Sequence, residues 1–266
     1  MPLNFEFVSV YQFFSLINSV FDAYKKLKYS FFIMKISVLV ENTVSENLAV
    51  KNLPLQAEHG LSLFIQTQNK NILFDMGQTN LFSKNASLLG INLQSVDFAI
   101  LSHGHYDHGG GMKRFLEINQ TAPIYINRNA FGQYYNGPEK YIGLDQQMRN
   151  EPRIRWTDDE HILLDTMKLL TYNQESAEYP NYGQGLLQKD EAGFQSDTFR
   201  HEQYLLIEED GKRILVSGCS HKGIVNLALW AKPDVVIGGF HLKKVEDESE
   251  LAALGQLLKN MNIQFF

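Results

Sequence analysis

The sequence predicts an α+β fold made of two similar β-rich halves that face each other. Three observations predict it. Short strands and helices alternate along much of the chain. Two hairpins repeat without gaps at an offset of 142 residues, Ile65 matching Ile207. Three apolar runs each end in histidine: 99–102 runs into His103 and His105, 214–218 into Cys219 and His221, and 235–239 into His241. Side chains delivered from the C-terminal ends of neighbouring strands can meet at one sheet edge, which makes a rigid site from residues far apart in sequence.

The elements follow in order. Met34 opens an apolar run to Glu41 that reads as the first strand. Residues 61–67 and 71–74 form a hairpin around Gln68, Asn69 and Lys70, and 204–208 with 213–217 form another around Asp210 and Gly211. Between them Leu63 matches Leu205, Lys70 matches Lys212, Ile72 and Leu73 match Ile214 and Leu215, and His59 matches His201. Apolar alternation alone can produce such a match, yet it points to a duplicated unit. Helices are expected over 79–89, closed by Gly90, and over 112–119, 224–231 and 248–260, the last with Leu251, Leu254, Leu257 and Leu258 on one face.

Residues 132–200 are polar, rich in tyrosine and turns, and broken by Pro138, Pro152 and Pro180. They read as a loop-rich insertion over the site, or equally as a solvated irregular excursion. Residues 1–33 are rich in Phe, Tyr and Val, but Glu6, Gln12 and Asp22 interrupt them, so no membrane span is expected. They read as a docking amphipathic helix or as a non-native start, with the domain proper spanning 34–266.

Composition sets the class. Of 266 residues, 44% are hydrophobic and 20% charged, the balance of an ordinary globular protein. A net charge of −6 with no Lys/Arg block argues against nucleic acid as a partner. Cys219 is the only cysteine, so no intrachain disulfide forms, and a reducing, cytoplasmic location fits.

His103, His105, Asp107 and His108 fall within six residues, directly after an apolar run and before Gly109, Gly110 and Gly111. Three imidazoles and a carboxylate are too polar to bury without partners, and a divalent metal satisfies them together. A histidine-rich surface loop is the competing interpretation; the spacing, strand context and glycines weigh against it.

With these residues the sequence resembles the metallo-β-lactamase-fold superfamily. More narrowly it is similar to the dihydropterin-ribofuranosylaminobenzene-phosphate synthase-like branch, through 58–62, 73–78, 102–110, 218–226 and 238–242. The resemblance covers the chain from about Met34 onward. It implies a four-layer αββα sandwich and two zinc ions, manganese or iron being alternatives. It implies that His103 and His105 hold one ion and Asp107 and His108 the other, with His221 and His241 as the remaining ligands. Cys219 stands where many members have a bridging Asp; it is a ligand or a small buried neighbour. His201 is a weaker ligand candidate, or else shares with His59 a structural role at the start of each hairpin. Asp75 is expected to brace the histidine loop, with His59 as a further supporting residue.

The family continues after a strand like 262–266 into a His-Cys-Thr-Gly motif, whereas this sequence stops at Phe266, so the fold is expected to lack its C-terminal end and the second zinc site to be incomplete. The implied chemistry is attack by a metal-bound hydroxide, oriented by Asp107, on a small anionic substrate such as a phosphate ester, lactone or thioester. The branch implies a pterin-linked transferase instead; a third reading is a catalytically impaired metal-binding protein. Tyr134, Tyr135, Tyr141 and Tyr182 are available to stack on a flat ring, or are simply loop surface. A nuclease is disfavoured by the acidic balance.

Overall fold

Alternation of side chains along the strands decides the layering. In the hairpin Ser62–Gln66 and Asn71–Phe74, Leu63, Ile65, Ile72 and Phe74 point one way and Phe64 and Leu73 the other. The first set packs on Leu205, Ile207, Ile214 and Val216 of the hairpin Tyr204–Glu209 and Lys212–Ser217. The second packs on Phe82 and Ala86 of helix Leu81–Leu88 and on Met112 and Phe115 of helix Met112–Ile118. On the far side Leu206, Leu215 and Val236 meet Ile224 and Leu227 of helix Ile224–Ala231 and Leu254 and Leu258 of helix Glu248–Asn260. Three apolar layers therefore separate helices, sheet, sheet and helices, the αββα sandwich. Each fully buried Leu or Ile in them is worth about 1.5–3 kcal/mol. The computed structural model that gives this arrangement describes residues 6–8, 34–44, 53–181, 183–242, 245 and 247–265.

The first sheet runs in the order Glu6–Val8, Lys35–Val40, Ser62–Gln66, Asn71–Phe74, Phe98–Leu101, Ile124–Asn127, Ile154–Thr157. The second runs Glu160–Leu164, Met167–Leu170, Tyr204–Glu209, Lys212–Ser217, Val235–Gly238, Gln264–Phe265. The two hairpins pair in the same register: Leu63 opposite Phe74 and Ile65 opposite Ile72, Leu205 opposite Val216 and Ile207 opposite Ile214. Each is then extended by a parallel strand, Phe98–Leu101 or Val235–Gly238. The repeat in the sequence is thus a repeat of structure, and matching residues such as Ile65 and Ile207 share the central layer.

The stretch 132–200 is not one loop-rich insertion. Ile154–Thr157 closes the first sheet and Glu160–Leu164 and Met167–Leu170 open the second. A separate four-stranded sheet, in the order Gly193–Ser196, Leu186–Asp190, Gln133–Asn136, Lys140–Tyr141, uses the rest. Of residues 1–33 only 6–8 are described, as a strand parallel to 35–37; the proposed docking helix otherwise lies outside the described residues. Tyr182 also lies outside them. No helix among the described residues is long and apolar enough to cross a membrane.

Candidate metal centre

Strand Phe98–Leu101 ends and the chain turns through His103 to a one-turn helix, Tyr106–Gly109. His105 caps that helix and Asp107 and His108 sit in it, so the motif wraps its side chains around one point. Two glycines make the turn possible. A Cβ on Gly104 would lie 2.1 Å from the Ala130 carbonyl oxygen. One on Gly60, whose φ is +127°, would lie 1.9 Å from that of Asp107.

A buried carboxylate fixes the orientation of the motif. Asp75 follows strand Asn71–Phe74 with φ 59°, a left-handed conformation that Asp tolerates better than most residues. Its Oδ1 accepts the Ser102 N–H at 2.7 Å, and its Oδ2 accepts the Ser102 hydroxyl at 2.7 Å. The same Oδ2 lies 2.6 Å from His108 Nδ1. An ionised carboxylate only accepts, so His108 carries a proton on Nδ1 and turns Nε2 inward. The Ser102 hydroxyl, having donated, accepts from His103 Nδ1 at 2.7 Å, which leaves His103 Nε2 bare.

The second half brings its ligand candidates to the same point. His221 Nε2 lies 3.3 Å from His103 Nε2, and Cys219 Sγ lies 3.1 Å from His108 Nε2. The His241 ring centre is 4.3 Å from that of His221. Ser220 donates through its hydroxyl to the Gly239 carbonyl at 2.7 Å, tying the Cys219–His221 turn to the strand that delivers His241. Ser220 and His241 both have positive φ, 58° and 50°, so backbone strain gathers here as at Asp75.

Ligand atoms of His103, His105 and His221 lie within 4.8 Å of one another; so do those of His103, His108 and Cys219, and those of Cys219, His221 and His241. Cys219 belongs to the last two groups. Burial, and after it neighbouring imidazoles, push the pKa values of His103 and His221 well down and that of His105, against the pull of Asp107 and Asp197, to about 3. These three rings are therefore neutral, the form that binds a metal. His108 moves the other way: burial opposes its charge, but Cys219, Asp75 and Asp107 outweigh it. Burial raises the Cys219 thiol. His105 Nε2 and His221 Nδ1 are buried with no hydrogen-bond partner. A polar nitrogen left so costs about 1–3 kcal/mol, and a cation among these donors removes that cost. The donor set fits a divalent metal.

The remaining residues that the motifs single out are placed differently from one another. Asp107 Oδ2 lies 3.6 Å from His108 Nε2 and 3.3 Å from Nε2 of the largely exposed His59. His201 is buried at the site with both ring nitrogens engaged. Its Nδ1 accepts the Gly104 N–H at 2.9 Å, so Nε2 carries the proton and faces Asp197 Oδ2 at 3.1 Å. With Asp197 and His105 it forms a further group of close ligand atoms. Each hairpin's leading histidine thus touches the metal-motif loop, His59 at Asp107 and His201 at Gly104. Tyr134 packs its ring 4.0 Å from that of His201, whereas Tyr135 and Tyr141 pair with each other.

Sequence reasoning missed three residues. Ser102 relays Asp75 to His103. Asp197 holds His201. Glu202, fully buried, accepts the His221 N–H at 2.9 Å, the Lys222 N–H at 3.2 Å and the Tyr204 hydroxyl. A carboxylate directly after His201, at the start of a run of apolar strand residues, was the available signal for the last.

The Metallo-beta-lactamase superfamily profile matches residues 55–190. Two proteins of Methanocaldococcus jannaschii are each 31% identical to this chain. One is uncharacterized, and the match covers 80% of this chain and 81% of that protein. The other is 7,8-dihydropterin-6-methyl-4-(beta-D-ribofuranosyl)-aminobenzene-5'-phosphate synthase, with 82% of each covered. The crystal structure of a metal-dependent hydrolase of the beta-lactamase superfamily superposes with a TM-score of 0.68 at 25% identity, over 86% of this chain and 85% of that one.

Proposed function

The chain belongs to the metallo-beta-lactamase superfamily, and from that premise we propose that it is a zinc-dependent hydrolase acting on a small anionic molecule. The observation that carries this reading is the meeting of His103, His105, His108, Cys219, His221 and His241, with buried nitrogens of His105 and His221 that lack a hydrogen-bond partner. In this reading His103, His105 and His221 hold one ion. Asp107, His108 and His241 would hold a second, and Cys219, whose sulfur groups both with His103 and His108 and with His221 and His241, is available to either. Such ions supply Lewis acidity and a nucleophile at neutral pH, by lowering the pKa of water to about 7.

The chain's own residues do the rest. Asp75 and Ser102 keep Nε2 of His108 and of His103 aimed inward. Asp107, which burial pushes up but His108, His105 and His59 hold below the usual carboxylate range, would accept a hydrogen bond from the attacking water and orient it. The neutral imidazoles leave cationic charge uncompensated, which favours an anionic carbonyl or phosphoryl substrate.

A pterin-linked transferase is the second reading, supported by the synthase relative at 31% identity over four-fifths of both chains. Elemental analysis of purified protein, followed by phosphodiesterase and lactonase assays on wild type and His105→Ala, tests the first. Two ions per chain, with one ion and turnover lost in the variant, are expected; protein that holds no metal after incubation with excess zinc sinks it. Turnover that requires a pterin co-substrate selects the transferase.

A further inference from the structure

A cavity of about 940 Å³ opens beside the cluster, with His105, His108, Cys219, His221 and His241 at one end. From there it runs into the layer between the two large sheets. Ile36, Val38 and Leu63 line it from the first sheet and Ile237 from the second. Most side chains of that layer are fully buried; Val38 and Leu61, which border the cavity, are only partly buried. Phe240 and Leu242 continue the apolar wall past the histidines.

The polar end carries a lysine. Lys140, carried by the small sheet, is the single lysine or arginine among the described residues that line the cavity. Its Nζ rests 5.7 Å from the centre of the Tyr106 ring, and no carboxylate pairs with it among the described residues. Glu41, an acidic residue of the wall, is occupied by the Thr43 N–H and hydroxyl.

We propose that this site takes an amphipathic anion: an oxyanion head seated between the histidine cluster and Lys140, and an apolar chain or ring lying between the sheets along Val38, Leu61, Leu63 and Ile237. The inference rests on the metal-centre reading for the head and on the strands alone for the tail. A head without a tail leaves apolar wall exposed to water, and a tail without a head leaves Lys140 and the metal charge unanswered.

Binding of methyl-, butyl- and hexylphosphonate, measured calorimetrically on zinc-loaded and on chelator-treated protein, separates the parts. The dissociation constant is expected to fall about fourfold for each added methylene in both preparations. Val38→Thr and Leu61→Asn, at partly exposed positions, flatten that dependence without shifting methylphosphonate. Lys140→Gln weakens every member of the series by one common factor, about fivefold. Affinity independent of chain length overturns the channel, whether it is closed or filled by other residues of the chain. An unaltered series in Lys140→Gln overturns the head-group assignment. Zinc that adds nothing to methylphosphonate affinity sinks the metal-centre reading alone, because the chain-length dependence still judges the channel.

Discussion

Oδ2 of Asp75 lies 2.6 Å from His108 Nδ1 and 2.7 Å from the Ser102 hydroxyl that bonds His103. One oxygen therefore sets the direction of two imidazoles, and these belong to different halves of the proposed two-ion centre. Because the carboxylate is fully buried, with its own backbone tied by Ile100 and Ser62, it cannot follow a ring that swings away.

Asp75→Asn replaces an obligate acceptor with a group that also donates. His108 then loses the bond that keeps its proton on Nδ1. Metal affinity should fall about 10- to 100-fold while the far-ultraviolet circular dichroism stays as in wild type. Chelator competition measures it, and wild-type affinity in the variant would remove Asp75 from the support of the centre.

Metal removal should lower thermal stability. Buried nitrogens of His105 and His221 have no hydrogen-bond partner, so the apo state keeps much of their desolvation cost. At a thousandfold excess over Kd, bound metal contributes about 4 kcal/mol, or roughly 10 °C in Tm for a domain of this size. Calorimetry with EDTA and with added zinc reads the shift. Identical melting curves count against a metal centre here.

Two glycines should respond in opposite directions. Gly104→Ala drives a Cβ to 2.1 Å from the Ala130 carbonyl oxygen, a backbone atom that cannot step aside. A loss of about 1–3 kcal/mol is expected. Gly255, inside helix Glu248–Asn260, has nothing within 4 Å of its would-be Cβ. Gly255→Ala should gain about 0.5–1 kcal/mol. Urea denaturation of both variants checks the pair, and a Gly104→Ala protein as stable as wild type would show that the turn yields at little cost.

The two facing β-rich halves were legible because the alternation at Leu63, Ile65, Ile72 and Phe74 returns at Leu205, Ile207, Ile214 and Val216; the four layers were implied by the family resemblance. The helix Glu248–Asn260 was legible from its leucine spacing, and Asp247 caps it through the N–H groups of Ser249 and Glu250. The small sheet was not. Gln133–Asn136 pairs with Leu186–Asp190 some fifty residues later, and both strands are largely polar, so neither periodicity nor proximity in sequence announces them. Asp197 and Glu202 escaped for another reason. Each acts by accepting hydrogen bonds from neighbours that only the folded chain supplies, and a lone carboxylate in a sequence has no spacing to read.

Glu202 offers the sharpest test of that kind of support. Its Oε1 accepts the His221 N–H at 2.9 Å, while Oε2 takes the Lys222 N–H at 3.2 Å and the Tyr204 hydroxyl. Three donors converge on one buried carboxylate, which pins the turn that carries Cys219 and His221. Glu202→Gln keeps the shape but turns one acceptor oxygen into an amide NH2 donor, so at least one of the three donors is left facing another donor. A buried group stranded this way costs about 1–3 kcal/mol. Tyr204→Phe removes one donor and leaves the acceptor intact, so its cost should be nearer ~1 kcal/mol. The two variants separate pinning from simple packing: Glu202→Gln should also speed hydrogen exchange at the His221 and Lys222 amides and weaken metal binding, and Tyr204→Phe should do neither. Wild-type exchange rates and metal affinity in Glu202→Gln would mean that the turn is held by Ser220 and Gly239 instead, and that Glu202 serves stability alone.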